Sequence, residues 1–487
     1  MKSSFSTIFI VLLFISNSFA QNPEIKGLES KTVEINKQKF IRQIGYIEVL
    51  EDRDKPNGKI LKLPIHIYKS PNPNPREPIF WLDGGPGHSN INSLSSIEFL
   101  ENHDFVMVGY RGADGNSVFK SKKVSRAVKG KRHQLLSDES LDNASAKLKE
   151  LAIELEQKGF DLSKYTILDV IEDIEYARKA LGVAKINLYS VSYGTRVALI
   201  YGYKYPNSIN RSVMVGANPP GHFIWDGNKT EQILNRYDSL YKAQKLQGSI
   251  KEAMQKTFTN MPKRWAMHRL DADKIKVATF LFIYEVDNAV MVFDAYFKAA
   301  NQGDYSGLYL IQLLFDIAMS KNNLWGDSFA KGLSSDFEIG KDYRAWHRAF
   351  DKTTTLGPNL SLVLWGLADG WNPYTIPEEY RKVRKSDTQT LIVSGNLDNS
   401  TPADFATEKL LPNLPNGHQV ILKDYSHSMT GNYQNDQIMG MITNYFKTGI
   451  VDQSQIKYQP INFKPKKSLN KMAKRGYPLW LILNLLY

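Results

Sequence analysis

No cysteine occurs in the 487 residues. That absence excludes disulfides, a thiol nucleophile, thiolate metal sites and lipid attachment through an N-terminal cysteine. Stability must come from packing alone. Long apolar runs are also scarce. The N-terminal stretch "MKSSFSTIFIVLLFISNSFA" is continuously apolar only from Ile8 to Ile15, well short of the ~20 residues that span a bilayer. Lys2, that run, and small residues at Ser18 and Ala20 instead form the pattern of a secretory signal peptide over residues 1–20. Cleavage is expected before Gln21, giving an exported product, periplasmic or extracellular. No internal repeat is present. Acidic residues are in the minority, and the net charge of +12 is partly local, with Lys120, Lys122, Lys123, Arg126, Lys129, Lys131 and Arg132 crowded together. No nucleic-acid recognition motif accompanies them, so a solvated loop and no nucleic-acid partner are expected.

What is present reads as a globular chain, 42% hydrophobic and 23% charged. "IRQIGYIEVL" and "ILKLPIHIYK" predict two strands joined through the polar turn "EDRDKPNG". "PIFWLDG", "DFVMVGY", "KINLYSV" and "RSVMVGA" predict fully buried strands, each followed by a glycine-bearing loop. Buried strands separated by helical patterns imply an α/β fold with a mostly parallel sheet covered on both faces. From about Pro219 to Ser386 the pattern turns helical and holds six of the eight tryptophans, Trp225 to Trp371. Strand character returns in "TLIVSG" and "QVILKDY", and a helix from about Gln437 to Phe446 follows. The predicted organisation is a core over 21–218, a helical cap inserted over 219–386, the rest of the core over 387–448, and a basic then apolar tail over 449–487. The terminal "YPLWLILNLLY" is too short to span a membrane; docking on the body is expected in preference to peripheral membrane contact.

One stretch points to chemistry. In "NLYSVSYGTRVALIYGYKYP" a strand predicted to end at Tyr189 and a helix predicted to start near Arg196 leave room for only a tight turn. Its central residue, Ser192, must take strained angles and expose its hydroxyl. Close approach of strand and helix demands small flanking residues, met by Gly194 and, in the place usual for glycine, Ser190. A serine hydroxyl attacks only when a base removes its proton. Only His418 and His427 follow the late strand "TLIVSG". His418 enters the next strand at the wrong end of the sheet, whereas His427 leaves it at the carboxyl edge where Ser192 stands, so His427 is the candidate base. In "NLDNSTP", Asp398 is the candidate acid to orient it; Asp404, the nearest competitor, falls in the following helix. Two backbone amides must face the developing oxyanion. Tyr193 supplies one, and "GGPG", Gly84 to Gly87, supplies the other from Gly84 or Gly85.

These blocks together resemble the α/β-hydrolase enzymes of the proline iminopeptidase and tripeptidyl aminopeptidase group. "LDGGPGHSN", "VGYRGADGNS", the Ser192 stretch, "LIVSGNLDNSTP" and "YSHSM" look like that group's blocks in order, and "ANQGDYSGL" looks like a further one. The likeness runs from about Ile41 to Phe446. It implies an α/β-hydrolase fold and a serine hydrolase that removes residues from peptide N-termini, with Ser192 as nucleophile, Asp398 as acid, His427 as base, and no metal or cofactor. Three positions depart from the group: Asp83 where histidine is usual, Gly109 where an aspartate often precedes the arginine, and Ser190 for glycine. The expected substrate is a peptide, with a small or acyl-chain ester as the alternative of a carboxylesterase; an inactive binding protein on the same scaffold is a third reading. The aminopeptidase reading needs a cap carboxylate for the substrate ammonium, and Glu285, Asp287, Asp294 and Asp304 are candidates.

Overall fold

The computed structural model describes residues 22–476 apart from 93, 95, 131–133, 322–323 and 431–435, and the side chains of 429 and 430. The segment expected to be a signal peptide, Lys131 and Arg132 of the basic stretch, and the terminal apolar stretch lie outside the described residues.

Three strands, β1 (Lys26–Ile35), β2 (Gln38–Leu50) and β3 (Ile60–Tyr68), form an antiparallel meander. β4 (Arg76–Leu82), β5 (His103–Val108), β6 (Ile186–Val191) and β7 (Ile209–Val215) follow. Between β7 and the next sheet strand the chain is helical, broken by the two-residue pair β8 (Arg264–Trp265) and β9 (His268–Arg269). β10 (Gln389–Gly395) and β11 (Gly417–Leu422) complete the sheet. Its order is β1-β2-β3-β5-β4-β6-β7-β10-β11, parallel from β5 to β11. The residue types explain the split. In β2, inward Ile47 and Val49 alternate with half-exposed neighbours, as in a strand with one wet face. In β4, Ile79, Phe80, Trp81 and Leu82 are all buried, as in a strand covered on both sides.

Three expectations are corrected. The basic stretch is not a solvated loop: Lys122–Ala127 forms a helix with Val124 and Ala127 buried, and Lys129 is itself buried, donating to Ser320 Oγ at 2.7 Å. β1 was not foreseen, because "KGLESKTVEI" is mostly exposed and carries no apolar alternation; it is an edge strand held by its pairing with β2. The turn at Ser192 is tighter than predicted. β6 runs to Val191 and the helix Tyr193–Lys204 begins at once, leaving Ser192 alone between them.

Cap and core share one apolar cluster, in which Leu82, Val108 and Tyr193 join Phe329, Leu333 and Trp365. A buried ion pair fastens them. Arg196, on the helix after Ser192, donates to Asp336 on the cap helix Trp325–Asp336, Nη1 to Oδ1 at 2.7 Å. Asp336 also accepts from the amides of Gly221 (3.0 Å) and Phe223 (2.8 Å), where the chain enters the cap. Burial opposes ionisation of Asp336, but Arg196 and those amides override it and hold the carboxyl below its ordinary value. Arg196→Ala leaves that carboxylate buried and unpaired, so it should lower unfolding stability by about 3–5 kcal/mol. Urea unfolding checks this, and a loss under about 1 kcal/mol would show that the cap does not depend on the pair.

The described tail returns to the cap. In the helix Leu469–Arg475, Leu469 and Ala473 are buried against the helix Ser306–Lys321, and Asn470 Nδ2 donates to the Asp304 carbonyl at 3.0 Å.

Candidate active site

The carboxyl ends of β4, β6, β10 and β11 lie along one edge of the sheet, and each delivers a predicted site residue there. After β6, Ser192 sits at φ 53°, ψ −123°, a region that non-glycine residues rarely occupy. Its conformation is imposed by crowding: a Cβ on Gly194 would lie 2.1 Å from the Leu82 carbonyl oxygen. The helix therefore starts in contact with β4, and only glycine fits at its second position. Ser190 is fully buried and donates its hydroxyl to the Val213 carbonyl at 2.9 Å, so its polar atom is satisfied where glycine would have none.

After β11, His427 Nδ1 lies 2.8 Å from Asp398 Oδ2. Asp398, in the turn after β10, is fully buried and accepts from the amides of Ser400 (2.8 Å) and Thr401 (2.7 Å) and from Thr401 Oγ1 (2.8 Å). Burial opposes its ionisation; His427 and Thr401 override that and keep the carboxyl below its ordinary value. Thr401 also approaches His427 Nδ1 at 3.2 Å. The sequence reading did not single out Thr401. Its signal was local, a hydroxyl three residues beyond a loop aspartate, the spacing at which backbone and side chain both return to the carboxylate. Ser192 and His427 line one cavity, with no hydrogen bond between their side chains among the described residues; such bonds are often long in unliganded enzymes.

The rejected alternatives lie elsewhere. His418 is exposed near the start of β11, beside Leu391 at the far end of β10. Asp404 forms an ion pair with Lys229 of the cap.

After β4 comes the glycine loop. A Cβ on Gly84 would lie 3.2 Å from Ser192 Cβ, so this backbone runs directly beside Ser192. The Gly84 amide donates to Asp83 Oδ1 at 2.7 Å. Of the two predicted loop donors, that leaves the Gly85 amide, with the Tyr193 amide, as the pair without an acceptor among the described residues. Asp83, the departure from histidine, thus braces the loop, with Asn92 donating to its other oxygen at 2.5 Å. Burial pushes its carboxyl up against those bonds. Gly109 is explained by packing: a Cβ there would sit 2.7 Å from Pro64 Cδ.

The family model described as the alpha/beta hydrolase fold matches residues 78–429, from β4 past His427. The chain belongs to the α/β-hydrolase family. Two curated relatives are tripeptidyl aminopeptidases. That of Streptomyces coelicolor (strain ATCC BAA-471 / A3(2) / M145) is 29% identical over 197 residues, 38% of this chain and 36% of that protein. That of Streptomyces lividans is 28% identical over 197 residues, again 38% of this chain and 37% of that protein. The chain therefore matches little more than a third of the length of those relatives. Among solved structures, the meta-cleavage product hydrolase of Pseudomonas fluorescens IP01 is 12% identical, with a TM-score of 0.38, covering 80% of this chain and 96% of that one.

In this α/β-hydrolase the cap covers one side of a cavity of about 590 Å³ at Ser192 and His427. Its walls are Phe223, Trp225, Leu281, Met319, Trp325, Phe329, Leu333, Leu360, Leu364 and Trp365, with His88, Tyr284, Ser328, Ser400 and Ser428 as polar points. Three of the six cap tryptophans therefore face the cavity. Tyr284 ties the cap to the histidine. Its carbonyl accepts from the Ser428 amide at 2.7 Å, its ring packs edge-on to His427 at 5.1 Å, and its hydroxyl donates to Ser400 at 3.1 Å.

The four candidate ammonium-binding acids lie outside this wall. Glu285 caps the helix Val286–Gln302, accepting from the amides of Asp287 and Asn288. Asp287 pairs with Lys466, Asp294 with Lys298 at 2.6 Å, and Asp304 with Lys474 at 2.8 Å. Asp304 also accepts from the amide and hydroxyl of Ser306, so "ANQGDYSGL" is a helix start braced by the tail. Every aspartate and glutamate of the chain falls among the described residues, and none lines the cavity.

Proposed function

We propose that this α/β-hydrolase is an exported serine hydrolase that cleaves esters or amides of an apolar, uncharged acyl group. Ser192 Oγ attacks the substrate carbonyl as its proton passes to His427 Nε2, the ring nitrogen not held by Asp398. The tetrahedral oxyanion is met by the amides of Gly85 and Tyr193. His427 then protonates the leaving group, and water, deprotonated by the same histidine, releases the acyl group from Ser192. Asp398 keeps the imidazole in the tautomer that can accept the serine proton and stabilises the imidazolium.

The observation that carries the substrate reading is the wall of the cavity: mostly aromatic and aliphatic, with His88 and three serines but no carboxylate. An ammonium placed there would lose its hydration without gaining a counter-charge, a cost of several kcal/mol. The aminopeptidase reading is favoured by the two Streptomyces relatives named tripeptidyl aminopeptidase, and it requires an acid that the cavity lacks.

A paired assay separates the two. Aminoacyl amides with one leaving group, free or N-acetylated, are compared with a simple ester of an apolar acid, at a pH where the amine is protonated. The acyl-hydrolase reading expects the acetylated substrate to match or exceed the free one in kcat/KM and the ester to be fastest. A charge-assisted hydrogen bond to the amine contributes about 2–3 kcal/mol. Acetylation would then cost an aminopeptidase about a hundredfold, and that result would reverse the order of the two readings.

A further inference from the structure

One buried ion pair lies directly against the glycine loop. Asp327 and Lys331, one turn apart on the cap helix Trp325–Asp336, form an ion pair whose side chains are each only 1% exposed. Such a pair is weak evidence for stability, because desolvation offsets most of its attraction. Its surroundings suggest another role. Asp327 Oδ2 accepts from the Gly87 amide at 2.9 Å, across 240 residues of sequence. Gly87 closes the "GGPG" loop that runs beside Ser192. A second glycine meets the same carboxylate: a Cβ on Gly112, in the "YRG" block after β5, would lie 2.7 Å from Asp327 Oδ1. Both glycines hold positive φ, 90° and 86°. At Gly87 a Cβ would fall 1.9 Å from Ser328 Oγ, so the cap helix seats directly on the loop. Ser328 adds a bond from its hydroxyl to the Pro86 carbonyl at 3.3 Å.

We infer that Asp327 is a positioning residue for the oxyanion loop, and that Lys331 neutralises it. The carboxylate fixes the far end of "GGPG" through the Gly87 amide and so sets where the Gly85 amide points. Left unpaired, its charge would oppose the negative charge that develops on the substrate oxygen nearby. Lys331, packed 5.0 Å from the centre of the Tyr110 ring, removes that opposition. The cap thereby supplies part of the catalytic geometry as well as the cavity wall. This inference rests on the serine-hydrolase reading above.

Two double variants isolate the hydrogen bond from the charge. D327N/K331Q keeps an acceptor for Gly87 and a neutral partner for it. D327L/K331M removes the acceptor but fills the space with apolar side chains, a replacement that buried ion pairs often tolerate without loss of stability. Each protein is titrated to end point with a fluorophosphonate, so that kcat is expressed per reactive Ser192. D327N/K331Q should keep kcat within about threefold of wild type. D327L/K331M should lose about thirtyfold or more in kcat with KM little changed, and should bind a trifluoromethyl ketone, which presents an oxyanion, more weakly by a like factor. D327A/K331M, acceptor-free in a smaller volume, should behave as D327L/K331M does. Acceptor-free variants that turn over like wild type per titrated site, or a D327N/K331Q variant that loses as much as they do, would overturn the inference. Failure of the wild type to label at Ser192 would instead sink the serine-hydrolase reading.

Discussion

Ser192→Ala should lower kcat by about a million-fold, the scale seen when a triad nucleophile is removed, while the protein unfolds at or slightly above the wild-type temperature. The two halves of this expectation have separate causes. The acyl-enzyme cannot form without the hydroxyl, and what remains is the polarising effect of the oxyanion donors on a bound carbonyl. Stability is retained because alanine keeps the Cβ that packs beside Gly84, and because Ser192 Oγ makes no hydrogen bond among the described residues whose loss would leave a partner stranded. The backbone at φ 53° is as strained with alanine as with serine. Burst-phase kinetics with a chromogenic ester and a thermal melt check both halves. Turnover within a hundredfold of wild type would assign the nucleophile elsewhere.

Asp398→Asn should cost about ten-thousandfold in kcat, as when the same exchange is made in other triads. The hydrogen bonds explain why so small a change is so severe. Asp398 Oδ1 accepts from two backbone amides, so the asparagine oxygen is held on that side. The new NH₂ group must then face His427 Nδ1, 2.8 Å away. It can only donate, which forces the histidine proton onto Nε2, the atom that has to receive the proton of Ser192. Asp404→Asn is the matched control: it loses one partly exposed ion pair with Lys229 and should stay within about twofold of wild type in kcat, with a stability change under about 1 kcal/mol. If Asp404→Asn is the more damaging of the two, the acid is misassigned.

The carboxylates illustrate how far residue patterns reach. Ser192, Asp398 and His427 were legible because each sits within a few residues of a buried strand's end, and the parallel sheet sends those ends to one edge. The acids of the cap were not. Glu285, Asp287, Asp294 and Asp304 all lie on or beside apolar helical patterns, and pattern alone shows which face of a helix is buried but not what covers it. Three of them found lysine partners and the fourth a helix start, while Asp327, which reaches the "GGPG" loop, carried no distinguishing signal.

By itself the sequence determined whatever depends on neighbours in the chain. The buried strand runs, the strained turn at Ser192 with its obligatory Gly194 and the glycine-rich "GGPG" turn all follow from backbone sterics and short-range hydrogen bonding. Only the tertiary structure decided the pairing of β1, the assembly of a tryptophan-lined cavity without a carboxylate, and the seating of Asp327 between Gly87 and Gly112. Each of these joins residues far apart in the chain, and a charged side chain is committed only when folding brings a counter-charge or an amide within about 3 Å of it.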